Sequence, residues 1–466
     1  LLFSRNIFST HLPGWQAVFK PEKWRKNMRK FKKFAATMLV GLMATTALAG
    51  CSKSNNAASG NTDGKEGSVL NIYVWNEEFK SRFEGYYKNV PSDVKVNWVI
   101  TPNENNAYQN ALDAALLKQK DAAADDKIDM FLIEADYALK YVNSDYTLDV
   151  KDVGLTDDDL KDMYQYTKDI ATDSKGKLKS TTWQATPGLF AYRRSIAKDV
   201  LGTDDPDKVQ ESVKDWDTYN DTAKKMKDAG YKMTASANDT YRVYSNNVTS
   251  KWVDGNKISI DDNIMKWVDD SKAQVDAGET GTCDLWSDDW SKGFYPQGKV
   301  FCYFGPAWLV NFSMAADTEG SIGYNGGWGA TEGPQGFFWG GTWICAANGT
   351  DNQSLVKDIM LQMTTNDDVM KDIIEKDDDF VNNQDVIVEM ADSSYASKIL
   401  GGQNPLGIYN EGVSKLDLSK LSSYDQGCNE EFQNAMKDYF EGNVDLDTAL
   451  DNFKKAVVVK YPDLTY

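Results

Sequence analysis

From Val69 onward the apolar and polar positions alternate between two rhythms. Val69-Leu70-Asn71-Ile72-Tyr73-Val74-Trp75 is an apolar run of strand length, and Ile128 to Ile133 is a second. Between them, Phe79 to Tyr87 and Ala107 to Gln119 carry apolar residues at helical spacing, and Val94 to Ile100 alternates as a strand does. A period of two sends successive side chains to opposite faces of a strand, whereas a period near 3.6 gathers them on one helix face. Trp183 to Tyr192, with Pro187-Gly188 before an apolar run, reads as a crossing between lobes. Trp216 to Lys227 predicts a helix stopped by Gly230, and Ile264 to Ala277 an amphipathic one. Val300 to Phe304 predicts a strand ending at Gly305-Pro306. Gly326 to Gly341 is glycine-rich, with Phe337-Phe338-Trp339 in sequence, and reads as loop. Thr342 to Ala347 comes next as a strand. Leu355–Met363, Asp367–Glu375, Cys428–Tyr439 and Leu446–Val458 are the later helices. Strands alternating with helices predict α/β units around a largely parallel sheet.

Upstream the pattern changes. Met28-Arg29-Lys30-Phe31-Lys32-Lys33 precedes an apolar run from Phe34 to Leu48, then Ala49-Gly50-Cys51. A basic start, a short apolar stretch and small residues before a cut describe a secretory signal peptide over 28–50. The run is short for a membrane span. Leu48-Ala49-Gly50-Cys51 resembles the bacterial lipobox, which implies lipidation of Cys51 and a chain tethered to the outer face of the cell membrane. The alternative is an apolar helix that happens to end in Cys. Residues 1–27 fit neither scheme and are expected to be a non-native leader, with an alternative start as the competing reading. Residues 51–67 are rich in Ser, Asn, Ala and Gly and read as a flexible linker.

These boundaries matter for chemistry. The single histidine, His11, falls in the leader. Residues 51–466 therefore hold no Ser-His-Asp or Cys-His pair and no histidine-ligated zinc. The first 50 residues hold nine basic and one acidic residue, so residues 51–466 carry a net charge of −27. Such a chain repels nucleic acid and anionic lipid headgroups, so no nucleic-acid partner is expected. Its 416 residues exceed what one hydrophobic core serves, which predicts two lobes. Apart from Cys51 there are four cysteines. Cys283 and Cys302 could pair; the alternative is four buried free thiols. The acidic runs Asp157-Asp158-Asp159 and Asp377-Asp378-Asp379 read as helix N-terminal or exposed charge, and no loop has EF-hand spacing.

The order of these elements resembles the extracellular solute-binding proteins of carbohydrate ABC importers, the group that includes maltose-binding protein. Val69–Trp75 resembles that family's first strand, and Asp129-Met130-Phe131-Leu132-Ile133-Glu134-Ala135-Asp136 the strand delivering polar residues to the cleft. Trp183 to Ser195 resembles the first crossing, with Tyr192-Arg193-Arg194 where the family usually has Tyr-Asn-Lys. Gln297 to Trp308 resembles the Gly-Lys strand ending in Gly-Pro-Trp, with Ala307 intervening. Trp339-Gly340-Gly341-Thr342-Trp343-Ile344 resembles the second hinge strand. The resemblance implies a two-lobed α/β periplasmic-binding-protein-like fold of the class II type, with hinge-linked lobes closing over a cleft. Residues 68–187 and 342–387 are expected to form lobe 1, and 188–341 and 388–466 lobe 2. It also implies a monomer that hands its ligand to ABC permease transmembrane subunits, touches the membrane only through its lipid anchor, needs no cofactor or metal, and is not an enzyme.

A sugar offers an apolar face of C–H bonds and a rim of hydroxyls. Indole rings stack on the first, while carboxylates, amides and guanidinium groups serve the second. Candidate stacking residues are Trp75, Trp286, Trp308, Trp339 and Trp343, at strand ends or in glycine-rich loops, with Trp183 and Trp328 as weaker ones. Trp98, Trp216, Trp252 and Trp267 read as packing residues. Asn76, Glu77 and Glu78 come after the first strand, and Glu134 and Asp136 after the second. Arg242, in Tyr241-Arg242-Val243-Tyr244, is a candidate hydroxyl donor, and Asp288 and Asp289 are similar. The number of aromatics suits an oligosaccharide. Two alternatives stand beside this reading: an extracellular glycan-active enzyme built on two carboxylates, and the same fold binding a non-sugar solute.

Overall fold

The computed structural model describes residues 67–466. The leader, the signal segment, Cys51 and the linker up to residue 66 lie outside the described residues. In chain order the strands are β1 (Val69–Val74), β2 (Lys95–Ile100), β3 (Met130–Glu134), β4 (Ser180–Thr181), β5 (Leu189–Arg193), β6 (Val253–Asp254), β7 (Lys257–Ile258), β8 (Cys302–Gly305), β9 (Trp328–Thr331) and β10 (Thr342–Ala346). The helices that bear on the argument are α1 (Glu78–Tyr86), α2 (Ala107–Leu116), α3 (Trp216–Asp228), α4 (Tyr241–Ser245), α5 (Asp262–Ala277), α6 (Gln353–Thr364), α7 (Asp367–Asp377), α8 (Gln384–Ala391), α9 (Leu406–Val413), α10 (Asp425–Phe440) and α11 (Leu446–Lys460).

Two sheets organise these elements. The first runs β2-β1-β3-β10-β4, the second β8-β5-β9, and β6 and β7 pair as a small hairpin. Helical crossovers make β2 and β3 parallel to β1, as the alternating pattern predicts. The largely parallel expectation ends there. β10 returns to the first sheet from the second and pairs antiparallel with both β3 and β4. The second sheet is antiparallel throughout. β9 lies inside the glycine-rich stretch read as loop. Gly329 serves that strand by letting the Tyr192 ring lie against its backbone, where a Cβ would sit 2.5 Å from the ring. Helices α8 and α9 are further elements that the apolar pattern does not reveal.

The core is built on the sheets. β1 and β3 are buried almost throughout, and α1 and α2 cover them with Phe79, Phe83, Tyr108 and Leu112. A second cluster unites α5, α10 and α11 through Trp252, Trp267, Phe432 and Phe453, and a third packs α3 on β5 and β8. Trp216 stacks on Tyr244 at 4.0 Å, Trp183 stacks on Phe79 at 5.3 Å, and Trp328 is fully buried against Tyr303, so all three are packing residues. The four described cysteines are free thiols. Cys283 and Cys302 each direct sulfur to a backbone carbonyl, of Ala235 and Met233, not to one another. The expectation of exposed charge at Asp377–Asp379 is corrected. Asp379 is buried, and Arg82 of α1 reaches both Asp377 (2.5 Å) and Asp379 (3.4 Å).

One acidic pair near the start of β1 gives a stability prediction. Asp129 is fully buried and accepts from the Asn71 N–H, the Thr350 hydroxyl and the Asn352 amide. Asp351 lies beside it, 8 % exposed, and no donor among the described residues serves either of its oxygens. Burial first, and the Asp129 charge second, push Asp351 up to about 6. Its pKa in the fold thus exceeds the unfolded value. The associated stability is present at pH 4 and is lost as pH rises through about 6. Asp351→Asn is expected to raise Tm by ~1–2 °C at pH 7.5 and leave it unchanged near pH 4, in differential scanning fluorimetry across pH.

Candidate ligand-binding cleft

The parallel strands β1 and β3 deliver their carboxyl ends to one place, where open α/β sheets bind ligands. There a cleft of about 530 Å³ opens, lined on this side by Trp75, Asn76, Glu78, Glu134, Asp136 and Gln184, with Gly340 to Thr342 entering beside them. That volume is in the range of ligand pockets, roughly 300–1,000 Å³. β10 brings this last segment into place because Thr342 is registered against Glu134. The opposite wall carries Asn238, Arg242, Leu285, Trp286, Trp308, Phe312 and Ser313, with Glu430 and Gln433 from α10.

The aromatic lining is one packed group. Trp286 faces Trp308 at 6.1 Å with rings 30° apart, and Trp339 meets Trp308 edge-on at 5.2 Å. The Trp308 indole donates to the Trp339 carbonyl (3.1 Å), which fixes both. Trp286 is 53 % exposed and holds a left-handed backbone, φ 69°, a conformation uncommon for a bulky residue. It leans on buried Trp290, whose indole is anchored on Asp239 (2.8 Å). Phe312, 75 % exposed, stands on a single π-turn, Leu309–Ser313, directly after Trp308. Trp75, also in the lining, rests on Tyr108 and Tyr137.

The polar lining is held by hydrogen bonds and one ion pair. Asn76 accepts from the Glu78 N–H (3.0 Å) and so sets the start of α1. Glu78 accepts from the Gln184 amide (2.7 Å), which also reaches Asp379. Glu134 accepts from the Asp136 N–H (3.0 Å). Tyr241, Val243 and Tyr244 of α4 are buried, so Arg242 is left facing the cleft, where it grips Asp136 with both terminal nitrogens. Its guanidinium also lies 5.8 Å from the centre of the Trp339 ring.

Burial raises two of these acids. Glu134 is pushed well up by burial and then by Asp136. Glu78 is pushed up to about 7 by burial and then by Asp379. The raised pKa means that the fold favours protonated Glu78, so this share of stability is lost as pH rises toward 7. Glu78→Gln is therefore expected to raise Tm at about pH 8 relative to the parent and to match it near pH 4.5, read in the same fluorimetric pH series.

A family model for bacterial extracellular solute-binding proteins matches residues 79–397. The chain belongs to that family. Its fold is the two-lobed α/β fold of solved solute-binding proteins. A family 1 extracellular solute-binding protein superposes with a TM-score of 0.69 at 18% identity, covering 84% of this chain and 99% of its own. The ABC transporter associated binding protein of B. animalis subsp. lactis, in complex with beta-1,6-galactobiose, gives 0.65 at 19%, covering 85% and 99%. The galacto-N-biose-/lacto-N-biose I-binding protein of Bifidobacterium longum, in complex with lacto-N-biose, gives 0.65 at 11%, covering 86% and 98%. No curated protein sequence matches the chain. Among the described residues, no helix of this solute-binding protein is long and apolar enough to cross a membrane.

The expected ligand residues fall into two groups. Trp75, Asn76, Glu134, Asp136, Arg242, Trp286, Trp308 and Trp339 share the one cleft. Glu77 and Trp343 do not line it. Glu77 points to solvent beside Lys80 (3.2 Å), because the turn into α1 gives the cleft to Glu78 instead. Trp343 is 1 % exposed within β10, and its indole donates to the Thr167 carbonyl (3.0 Å). Asp288 and Asp289 are exposed and outside the lining, with Asp289 paired to Lys292. Arg193 and Arg194 hold backbone carbonyls, of Pro296 and of Trp328, Asp204 and Leu400. Gln184, Asn238, Phe312, Glu430 and Gln433 are cleft residues that sequence reasoning misses. Glu430 and Gln433 are three apart on one face of α10, a spacing visible in sequence but shared with any solvent-facing helix.

Proposed function

We propose that this chain is the capture component of an ABC importer: it takes up an oligosaccharide in the aromatic cleft and hands it to permease transmembrane subunits. The observation that carries the reading is the group Trp286, Trp308 and Trp339 sharing one cleft with Trp75, with Asn76, Glu78, Asp136 and Arg242 in the same lining. Flat indole faces would stack on sugar rings, and Asn76 and Glu78 would pair with hydroxyls. The solved relatives that hold galactobiose and lacto-N-biose support the choice of a sugar. Lipidation at Cys51 would keep the receptor on the extracellular face beside its permease, at about 0.8 kcal/mol per buried CH₂.

A second reading has an observation of its own. Glu78 and Glu134 are two cleft carboxyls held toward the protonated form, as a general acid must be. A glycan-active enzyme would use one such carboxyl as its acid and a second, ionised carboxylate as nucleophile or base. Thermal-shift titration with a panel of mono- and oligosaccharides, each sampled for hydrolysis, separates the two. A raised Tm with intact sugar is the expected result, because a ligand that binds only the folded state stabilises it by mass action. Cleaved sugar would move the protein to the enzyme class.

A further inference from the structure

The cleft does not end in solvent at the Asp136–Arg242 pair. On the far side of the same two residues lies a second chamber, walled by Ser245, Ser422, Asp425 and Asn429 among others. Its present volume is about 60 Å³, room for a handful of water molecules at roughly 10–15 Å³ each and too little for a sugar ring. The partition has two parts. One is the forked ion pair itself. The other is the Phe338–Trp339 peptide, for Phe338 lines the chamber and Trp339 the cleft, and the Phe338 N–H is fastened to the Asn246 side chain. Beyond the chamber, Asp417 and Leu418 separate it from a third hollow of about 630 Å³ that has exposed Gln165 and Asp169 on its wall. Space with mixed polar and apolar walls therefore continues past the pair.

We infer that the Asp136–Arg242 pair is the end wall of the ligand cleft and sets the length of glycan that fits. This rests on the sugar-binding reading above. The pair is suited to the task. Both carboxylate oxygens and both terminal guanidinium nitrogens are committed to each other, both side chains are largely buried (16 % exposed for Arg242 and 22 % for Asp136), and Trp339 stands against the guanidinium. A ligand one ring longer must part the two charges and take the space of the Arg242 side chain as well, since the chamber alone is too small for a ring.

The test compares the parent chain with Arg242→Ala and with the charge-neutral double variant Asp136→Asn/Arg242→Gln, which breaks the pair without leaving an unpaired charge. Each is titrated calorimetrically with malto-, β-galacto- and xylo-oligosaccharide series of two to six residues. In the series that the parent binds, Arg242→Ala is expected to shift the preferred length upward by at least one ring, with the ratio of long to short affinity rising tenfold or more, and the double variant, which vacates less space, to shift that ratio in the same direction. Equal weakening at every length would overturn the proposal and make the pair an ordinary ligand contact. A parent chain that binds no member of any series would overturn the sugar reading, and the length rule with it.

Discussion

Trp308→Ala is expected to weaken sugar binding about 100-fold, which corresponds to about 2.7 kcal/mol. Trp308 stands at the centre of the aromatic wall, in contact with both Trp286 and Trp339, and its indole fixes the Trp339 carbonyl. The substitution removes its own stacking face and loosens the other two, so its effect should resemble that of a binding hot spot, where truncation costs roughly 2 kcal/mol or more. Trp308→Phe keeps a ring and should lose about tenfold or less. Because Trp308 is half-buried at the cleft and not part of either sheet, Tm should move by only a few degrees. Calorimetric titration beside a thermal melt reads both quantities. An affinity unchanged by Trp308→Ala would show that the aromatic wall does not hold the ligand.

Trp343→Ala should do the reverse. This side chain is 1 % exposed and packs in the first sheet's core, and the substitution removes its bond to the Thr167 carbonyl. Truncating a fully buried tryptophan costs about 3–5 kcal/mol, and Tm is expected to fall by ~10 °C. At temperatures where the variant remains folded, its affinity for sugar should match the parent within about twofold. A large affinity loss with an unchanged melt would place Trp343 in the cleft after all.

The contrast between these two tryptophans shows what could be read from sequence. Strand and helix positions around β1, β2, β3 and β10 emerge from apolar periodicity, and the carboxyl ends of β1 and β3 point to the cleft on topology alone. Trp339 and Trp343 lie four residues apart in one motif and look equivalent. What separates them is the backbone at Gly340 and Gly341, both at positive φ (66° and 107°), which turns the chain between the cleft and the core. Glu77 and Glu78 differ in the same way, by one residue at the mouth of a helix. Amphipathicity says only that a helix has a polar face. That the polar face of α10 is cleft wall at Glu430 and Gln433 depends on which element lies opposite. The antiparallel return of β10 and the strand hidden at Gly329 depend likewise on partners far away in sequence.

The most direct test of sugar capture without turnover is calorimetric titration of the chain with the oligosaccharide that gives the largest thermal shift, with chromatography of the sugar after prolonged incubation. The expected result is one binding site per chain, a negative heat-capacity change from the buried apolar faces, and sugar recovered intact. Sugar recovered as shorter products, or no heat with any glycan of the panel, would contradict it.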